Sequence, residues 1–121
     1  MKLATINAFF DDPNLVWEWY EDRRKNILMA KPNEGHFAIA NMEKFRDVTV
    51  LTQNIDGLHQ RSGSTNVLEL HGSIIQIKCT VCDFSDSITQ NFESLPPKCE
   101  CGNMLRPDVV WFGETLSLIH I

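Results

Sequence analysis

The chain has 121 residues, 43% of them hydrophobic, and a formal net charge of −5 at pH 7. This length gives one domain with a modest core. The negative charge and the absence of a Lys/Arg cluster argue against nucleic acid as the main partner. No apolar run approaches membrane-spanning length, and the amino terminus lacks the apolar core of a signal peptide. The composition therefore predicts a soluble, cytoplasmic protein.

The first third of the chain carries helix signals. Thr5 can cap a short helical turn, and Asp12 followed by proline is a typical helix start. We expect a helix from residue 13 to about residue 29, with one apolar stripe and charged residues on its other faces. The stripe is formed by Leu15, Val16, Trp19, Ile27 and Leu28, and the charged faces carry Glu18, Glu21, Asp22, Arg24 and Lys25.

A second helix and two short strands follow. Asn33 can cap a helix over residues 34 to about 45. The β-branched and apolar residues 48–51 indicate a buried strand, and residues 67–70 indicate another. Each of these strands ends directly before a group of polar residues.

Residues 52–59 read Thr-Gln-Asn-Ile-Asp-Gly-Leu-His, and residues 70–72 read Leu-His-Gly. Polar side chains at the ends of strands are typical of the ligand crevice of an open α/β sheet. On spacing alone, a turn that satisfies its own backbone explains residues 52–59 equally well. His71 followed by Gly72 is a good platform for a general base, because glycine allows close backbone approach of a substrate. A lone histidine at such a place is nevertheless more often structural.

Four cysteines form two close pairs, Cys79 with Cys82 and Cys99 with Cys101. In a chain without an export signal, this pattern indicates a zinc ribbon more than two disulfides. With four sulfur ligands the zinc has no open position, so its role is structural. The second pair has one intervening residue where a knuckle usually has two. Gly102 can relax that turn, or one ligand is more labile.

Tyr20 and Arg23 lie three residues apart, so they project from one side of the first long helix. For an arbitrary pair at this spacing, a solvated surface position is the commoner explanation. A guanidinium and a phenol side by side can also bind a carboxylate, since the guanidinium offers two charge-assisted hydrogen bonds.

The chain resembles the sirtuins, a family of NAD-dependent protein lysine deacylases, from about Leu3 to Thr115. The resemblance rests on the order and spacing of residues 52–59, residues 70–72, the four cysteines, and Leu-Arg-Pro-Asp-Val-Val-Trp-Phe-Gly-Glu at 105–114. It implies an α/β fold, namely a central piece of a Rossmann-like parallel sheet with a helical module and an inserted zinc-ribbon domain. The implied division is a helical module at 1–46, a sheet segment at 47–72, a zinc-ribbon module at 73–106, a return strand and substrate-binding segment at 107–115, and a non-native tail at 116–121.

The resemblance also implies an activity and its residues. An acyl group is transferred from lysine to NAD, which yields nicotinamide and O-acyl-ADP-ribose. The Tyr-x-x-Arg pattern is similar to the branch that removes succinyl and malonyl groups and deacetylates more weakly. Partners would be NAD and acyl-lysine peptides or proteins, with structural Zn²⁺. The implied sites are His71 as catalytic base; Gln53, Asn54, Ile55 and Asp56 for NAD; Tyr20, Arg23, Val110, Trp111, Phe112 and Gly113 for substrate; and Cys79, Cys82, Cys99 and Cys101 for metal.

Parts of the family pattern are missing. The sequence has no Gly-x-Gly-x-x-Gly. The family's phosphate loop belongs before Leu3, its later strands belong after Thr115, and residues 116–121 resemble a translated sequencing adaptor. We therefore expect a gene fragment cut at both ends, inactive by itself. The competing interpretation is a zinc-ribbon binding or structural module without catalysis.

Overall fold

The computed structural model describes residues 3–114; Thr115 and the predicted tail at 116–121 lie outside the described residues. The elements are α1 (Ile6–Asp11), α2 (Pro13–Met29), α3 (Glu34–Met42), β1 (Val50–Thr52), α4 (Leu58–Arg61), β2 (Val67–Glu69), β3 (Gly72–Cys79), β4 (Ser85–Ser87) and β5 (Leu105–Val109). Among the described residues, no helix combines the length and apolarity needed to cross a membrane.

The helix starts are where the sequence predicts them, because side-chain caps are local. The side-chain oxygens of Thr5 and Asp12 accept backbone hydrogen bonds of 3.1 and 3.2 Å from residues three positions later. Asn33 and His36 form a reciprocal capping box at the start of α3, with both hydrogen bonds at 3.0 Å. Helix α3 ends at Met42 rather than near residue 45.

Two small sheets position the polar segments. β1 and β2 pair in parallel, with Val50 opposite Val67, as the Rossmann-like prediction requires. β3 lies between β4 and β5 in an antiparallel sheet. β5 pairs with β3 and not with the parallel pair. The chain enters and leaves the cysteine module on neighbouring antiparallel strands, so the predicted division between residues 106 and 107 falls inside β5.

The buried face of α2 differs from the predicted apolar stripe. Leu15 is 47% exposed, whereas Glu21 and Arg24, predicted on solvated faces, are 7% and 2% exposed. Val16, Trp17 and Tyr20 complete the buried face. Of the predicted stripe, Val16 is buried and Trp19, Ile27 and Leu28 are partly buried, so the prediction is wrong at Leu15 and in placing two core-facing charged residues on solvated faces.

The cysteine module explains this difference. A carboxylate oxygen of Glu21 accepts the backbone N–H of Phe92 at 2.8 Å, and Arg24 donates to the Gln90 carbonyl at 3.2 Å. The Phe92 ring packs edge-on against Trp17, with centroids 5.3 Å apart. Glu21 and Arg24 also contact each other at 3.4 Å, so each buried charge has a partner. Helix α2 is thus fixed to the loop that follows β4.

Candidate functional site

A cavity of about 770 Å³ lies between α2, the loop after β1 and the segment after β5. Every residue predicted to bind cofactor or substrate or to act as the base lines it. The predicted lining residues are Tyr20, Arg23, Gln53, Asn54, Ile55, Asp56, His71, Val110, Trp111, Phe112 and Gly113. Ala4, Ile27, Val109 and Glu114, which the sequence did not single out, also line the cavity.

The loop after β1 is held by its own side chains, which leaves other polar groups free to face the cavity. The Thr52 hydroxyl accepts the Asn54 backbone N–H at 3.0 Å, and one Asp56 oxygen accepts the Leu58 N–H at 3.0 Å. Gln53 and Asn54 have exposed side chains. Both sequence interpretations therefore apply: the loop satisfies part of its backbone and still presents two carboxamides.

His71 lies at the end of β2, where its carbonyl oxygen accepts the Val110 N–H at 2.8 Å. The following Gly72 has φ of +81°, and a β-carbon there would overlap the Asp108 carbonyl oxygen. The close approach that requires glycine is therefore made by strand β5 of the chain itself. The expectation that Gly72 makes room for substrate is wrong. This contact holds the His71 backbone against the segment at 108–110.

Tyr20 and Arg23 both face the cavity but differ in burial. Tyr20 is 4% exposed, and its hydroxyl oxygen accepts the Trp111 indole N–H at 2.7 Å. Burial raises the pKa of Tyr20 above 10.0, and the Trp111 hydrogen bond opposes this rise. Arg23 is exposed and its guanidinium lies 5.0 Å from the centre of the Trp19 ring. No carboxylate of residues 3–114 forms an ion pair with Arg23.

Arg106 and Glu114 form a clamp around Trp111 that sequence reasoning missed. The guanidinium donates to both Glu114 oxygens at 2.7 and 2.8 Å and to the Val109 carbonyl at 2.9 Å. It also stacks on the Trp111 ring, 3.8 Å from the ring centre. Glu114 accepts the Trp111 backbone N–H at 2.9 Å. The only sequence signal was an arginine and a glutamate at the two ends of the 106–114 segment.

The segment at 110–113 was predicted to bind substrate through its backbone. Three of its four amides are already used: Val110 donates to His71, Trp111 to Glu114, and Phe112 to the Ala4 carbonyl at 2.9 Å. Within residues 3–114, no donor hydrogen-bonds to the Val110 carbonyl oxygen. The Trp111 side chain is 2% exposed, whereas Phe112 is 68% exposed. The groups of this segment that remain available therefore include the Val110 carbonyl oxygen, the Gly113 N–H and the Phe112 ring.

The clamp makes stability depend on pH. Hydrogen bonds from Arg106 are the main cause that holds the pKa of Glu114 below its ordinary 4.5. A lowered pKa contributes stability above the unfolded value, and this contribution is lost as pH falls from 4.5 through the folded pKa. We expect Glu114→Gln to cost about 2 kcal/mol at pH 7 and to remove this acid-sensitive contribution. Urea unfolding from pH 7 to pH 3 measures it, with exposed Glu18→Gln as the matched control. Equal pH profiles for wild type and Glu114→Gln would contradict it.

The four cysteines lie together, and their sulfur atoms are all within 4.8 Å of one another. Sγ of Cys79 is 3.5 Å from that of Cys101, and Sγ of Cys82 is 3.5 Å from that of Cys99. All four are free thiols rather than disulfides. The glycine after the second pair, Gly102, has φ of +95° and makes the tight turn that the short spacing needs.

These cysteines fit a tetrahedral metal ion. Zinc with Zn–S bonds of about 2.3 Å places its ligands about 3.8 Å apart, which matches the sulfur cluster. The amides of Val81 and Cys82 point to the Cys79 sulfur at 3.3 and 3.4 Å, and the Asn103 side chain donates to Cys101. The Asn103 hydrogen bond is the main cause that lowers the pKa of Cys101 to about 6. Such donors favour thiolates, the form that binds metal.

Comparison with known proteins agrees with the fold. An NAD-dependent protein deacylase of Aquifex aeolicus is 52% identical over 120 residues, which cover 97% of this chain and 50% of the relative. NAD-dependent protein deacylase 1 of Caldanaerobacter subterraneus subsp. tengcongensis is 54% identical over 118 residues, covering 95% of this chain and 49% of the relative. The chain thus spans about half the length of the curated relatives it matches.

Solved structures give the same result. A mutant Sir2 homologue in complex with ADP-ribose superposes with a TM-score of 0.90 at 45% identity, covering 95% of this chain and 47% of that chain. A Sir2 protein bound to acetylated peptide superposes with a TM-score of 0.86 at 33% identity, covering 96% and 51%. The predicted α/β class with a cysteine module is confirmed. The Sir2 family profile matches residues 1–121, and the chain therefore belongs to the Sir2 family.

Proposed function

We propose that this chain is the central part of an NAD-dependent protein-lysine deacylase that prefers acidic acyl groups such as succinyl and malonyl. One observation carries the proposal. An arginine without a carboxylate partner among residues 3–114, Arg23, lines the same cavity as Tyr20, His71 and the loop 53–56. The NAD-dependent deacylase activity of the relatives, and the complexes of structural homologues with NAD and with acetylated peptide, support the reaction class.

Acyl selection rests on charge. The Arg23 guanidinium can make two charge-assisted hydrogen bonds to a carboxylate, and Tyr20 adds a third. An acetyl group offers no such acceptor. It would leave the guanidinium unpaired in a cavity lined partly by Ile27 and Val109, which costs binding free energy.

The remaining residues orient substrate and move a proton. NAD, when bound, supplies the ribose carbon that accepts the acyl oxygen as nicotinamide leaves. Gln53, Asn54 and Asp56 would bind the nicotinamide and ribose through amide and carboxylate groups, with Ile55 packing beside them. His71 takes a proton from a ribose hydroxyl as general base. The Val110 carbonyl accepts the N–H of the acyl-lysine, and Phe112 with Gly113 lines its entrance.

Zinc would be held by the four cysteines and would take no part in the reaction. Four thiolate ligands leave no position for a water or substrate, so the metal stabilises the fold. The ribbon in turn supports α2 through Glu21 and Arg24, and α2 carries Tyr20 and Arg23.

The acyl preference is tested by Arg23→Met. We expect the ratio of kcat/KM for succinyl-lysine over acetyl-lysine peptide to fall about 10- to 100-fold, because a charge-assisted hydrogen-bond pair is lost. The measurement uses this chain completed at both ends with the sequence of the Aquifex aeolicus relative, hereafter the completed protein. His71→Tyr is the control, since loss of the base lowers turnover of both substrates together. Equal losses for both substrates in Arg23→Met would remove the selector role.

The same assay separates the enzyme from a binding module. We infer that the 121-residue chain alone is inactive, because no Gly-rich phosphate loop occurs in it. Succinyl-lysine hydrolysis that requires NAD in the completed protein supports the deacylase. A completed protein that binds zinc but deacylates neither peptide would favour the non-catalytic zinc-ribbon module.

A further inference from the structure

Trp111 was predicted to contact substrate, yet its side chain is almost fully buried. The indole is 2% exposed, and both its ring and its N–H are engaged by the chain. Arg106 stacks at 3.8 Å from the ring centre, and Phe9 packs with its ring centre 5.2 Å away. The N–H donates to the Tyr20 hydroxyl oxygen at 2.7 Å.

This last hydrogen bond has a fixed direction. An indole nitrogen can only donate, so the Tyr20 oxygen must accept. A phenol hydrogen prefers the plane of its ring, where it has two positions. The Trp111 N–H occupies the acceptor direction on one side, and the hydroxyl proton is left to the other side. Tyr20 lines the cavity, and its hydroxyl makes no other hydrogen bond among residues 3–114, so its proton is available to an acceptor such as an anion.

The clamp keeps the indole in this place. Arg106 is 5% exposed, and its guanidinium donates hydrogen bonds to both Glu114 oxygens and to the Val109 and Pro107 carbonyls. Its guanidinium cannot reach a ligand in the cavity without breaking these bonds. Arg106 is thus committed to holding Trp111, whereas Arg23 is the guanidinium available to a substrate.

We propose that Trp111 is a positioning residue that orients the Tyr20 hydroxyl as a hydrogen-bond donor to the acyl carboxylate, and that Arg106 and Glu114 hold Trp111 for this purpose. The inference rests on the proposed acidic-acyl function and adds a residue that acts through Tyr20 without touching the substrate. It assigns acyl selectivity to a line of contacts that runs from Glu114 through Arg106 and Trp111 to Tyr20.

The test is Trp111→Phe, which keeps an aromatic ring and removes the N–H. In the completed protein we expect the succinyl-over-acetyl ratio of kcat/KM to fall about fivefold, as for the loss of one neutral hydrogen bond. The loss should lie mainly in KM for the succinyl peptide. In a Tyr20→Phe background, Trp111→Phe should change the ratio no further, because the hydroxyl it orients is gone.

A second readout needs no catalysis. Tyr20 is the only tyrosine of the 121-residue chain, so labelling tyrosine at the phenol carbon gives one NMR signal in this chain. Because the Trp111 hydrogen bond lowers the pKa of Tyr20 against the effect of burial, Trp111→Phe should move the titration of that signal to higher pH. Trp17→Phe is the matched control: its buried indole donates to the Leu105 carbonyl at 3.0 Å and not to Tyr20.

The outcomes separate the two proposals. Equal loss of both substrates in Trp111→Phe, an unmoved Tyr20 titration, or the same selectivity change in Trp17→Phe would overturn the positioning role. A completed protein without succinyl preference, and indifferent to Arg23→Met, would overturn the acidic-acyl function. The Tyr20 titration would then still report whether Trp111 donates to the phenol.

Discussion

Replacing Gly72 by alanine should prevent the chain from reaching its folded state. A β-carbon at this position would overlap the Asp108 carbonyl oxygen and lie 2.9 Å from the carbonyl carbon and 3.0 Å from the Val109 α-carbon. These are backbone atoms of a paired strand and cannot rotate away. The φ of +81° adds conformational strain for any residue with a β-carbon. We expect a loss of more than about 3 kcal/mol, which is a large part of the stability of a small domain.

Thermal unfolding followed by circular dichroism measures this effect. Gly57→Ala is the matched control, because Gly57 also has a positive φ, +67°, but a β-carbon there would meet no atom within 4 Å beyond its chain neighbours. It should cost only about 1 kcal/mol of left-handed strain. Similar losses in the two variants would show that φ alone, and not the approach of β5, requires glycine at position 72.

Removing zinc should unfold the cysteine module and loosen α2. Structural zinc sites of this ligand type contribute about 10–16 kcal/mol of apparent binding free energy at neutral pH. β4 is exposed, and the loop between it and Cys99 buries only Pro97, with Ile88, Phe92 and Leu95 partly buried, so this loop offers no core of comparable size. We expect a stoichiometric zinc ion and, after chelation, loss of amide-exchange protection at residues 79–104 and at Trp17 and Arg24 of α2.

Matched variants of the knuckle make this prediction sharper. Cys82→Ser should lower zinc content and give the exchange pattern of the chelated protein. Thr80→Val, which removes a hydroxyl hydrogen bond of 2.8 Å to the Met104 carbonyl in the same knuckle, should keep its zinc. Full exchange protection without bound metal, or a mass decrease that indicates two disulfides, would contradict the zinc assignment.

Local chemistry made much of this molecule predictable. The caps at Thr5, Asp12 and Asn33 depend on contacts three residues away. The short spacing within each cysteine pair likewise predicts that its two sulfur atoms lie close together. The residues that meet in the cavity were also identified, because each stands at the end of a strand or in a motif of the family. The sequence could not give the distances between these residues, because those distances depend on the fold.

The features that were missed depend on distant partners. Arg24 is buried because it contacts Gln90, 66 positions along the chain, and Glu21 is buried because it contacts Phe92, 71 positions along the chain. The bond from Trp111 to Tyr20 spans 91 positions. No periodicity in α2 can report a partner that arrives from another module. For the same reason the sequence did not predict the pairing of β5 with β3, since register between separated strands follows from packing.

The attachment of α2 to the cysteine module limits how such proteins can be recombined. Phe92 and Gln90 contact three side chains of the helix, Trp17, Glu21 and Arg24. A cysteine module grafted from another relative would meet those side chains with different groups and leave a charge buried without its partner. A functional graft must therefore exchange one face of α2 together with the module. Arg23 is exposed and takes no part in these contacts, so the graft can leave it unchanged.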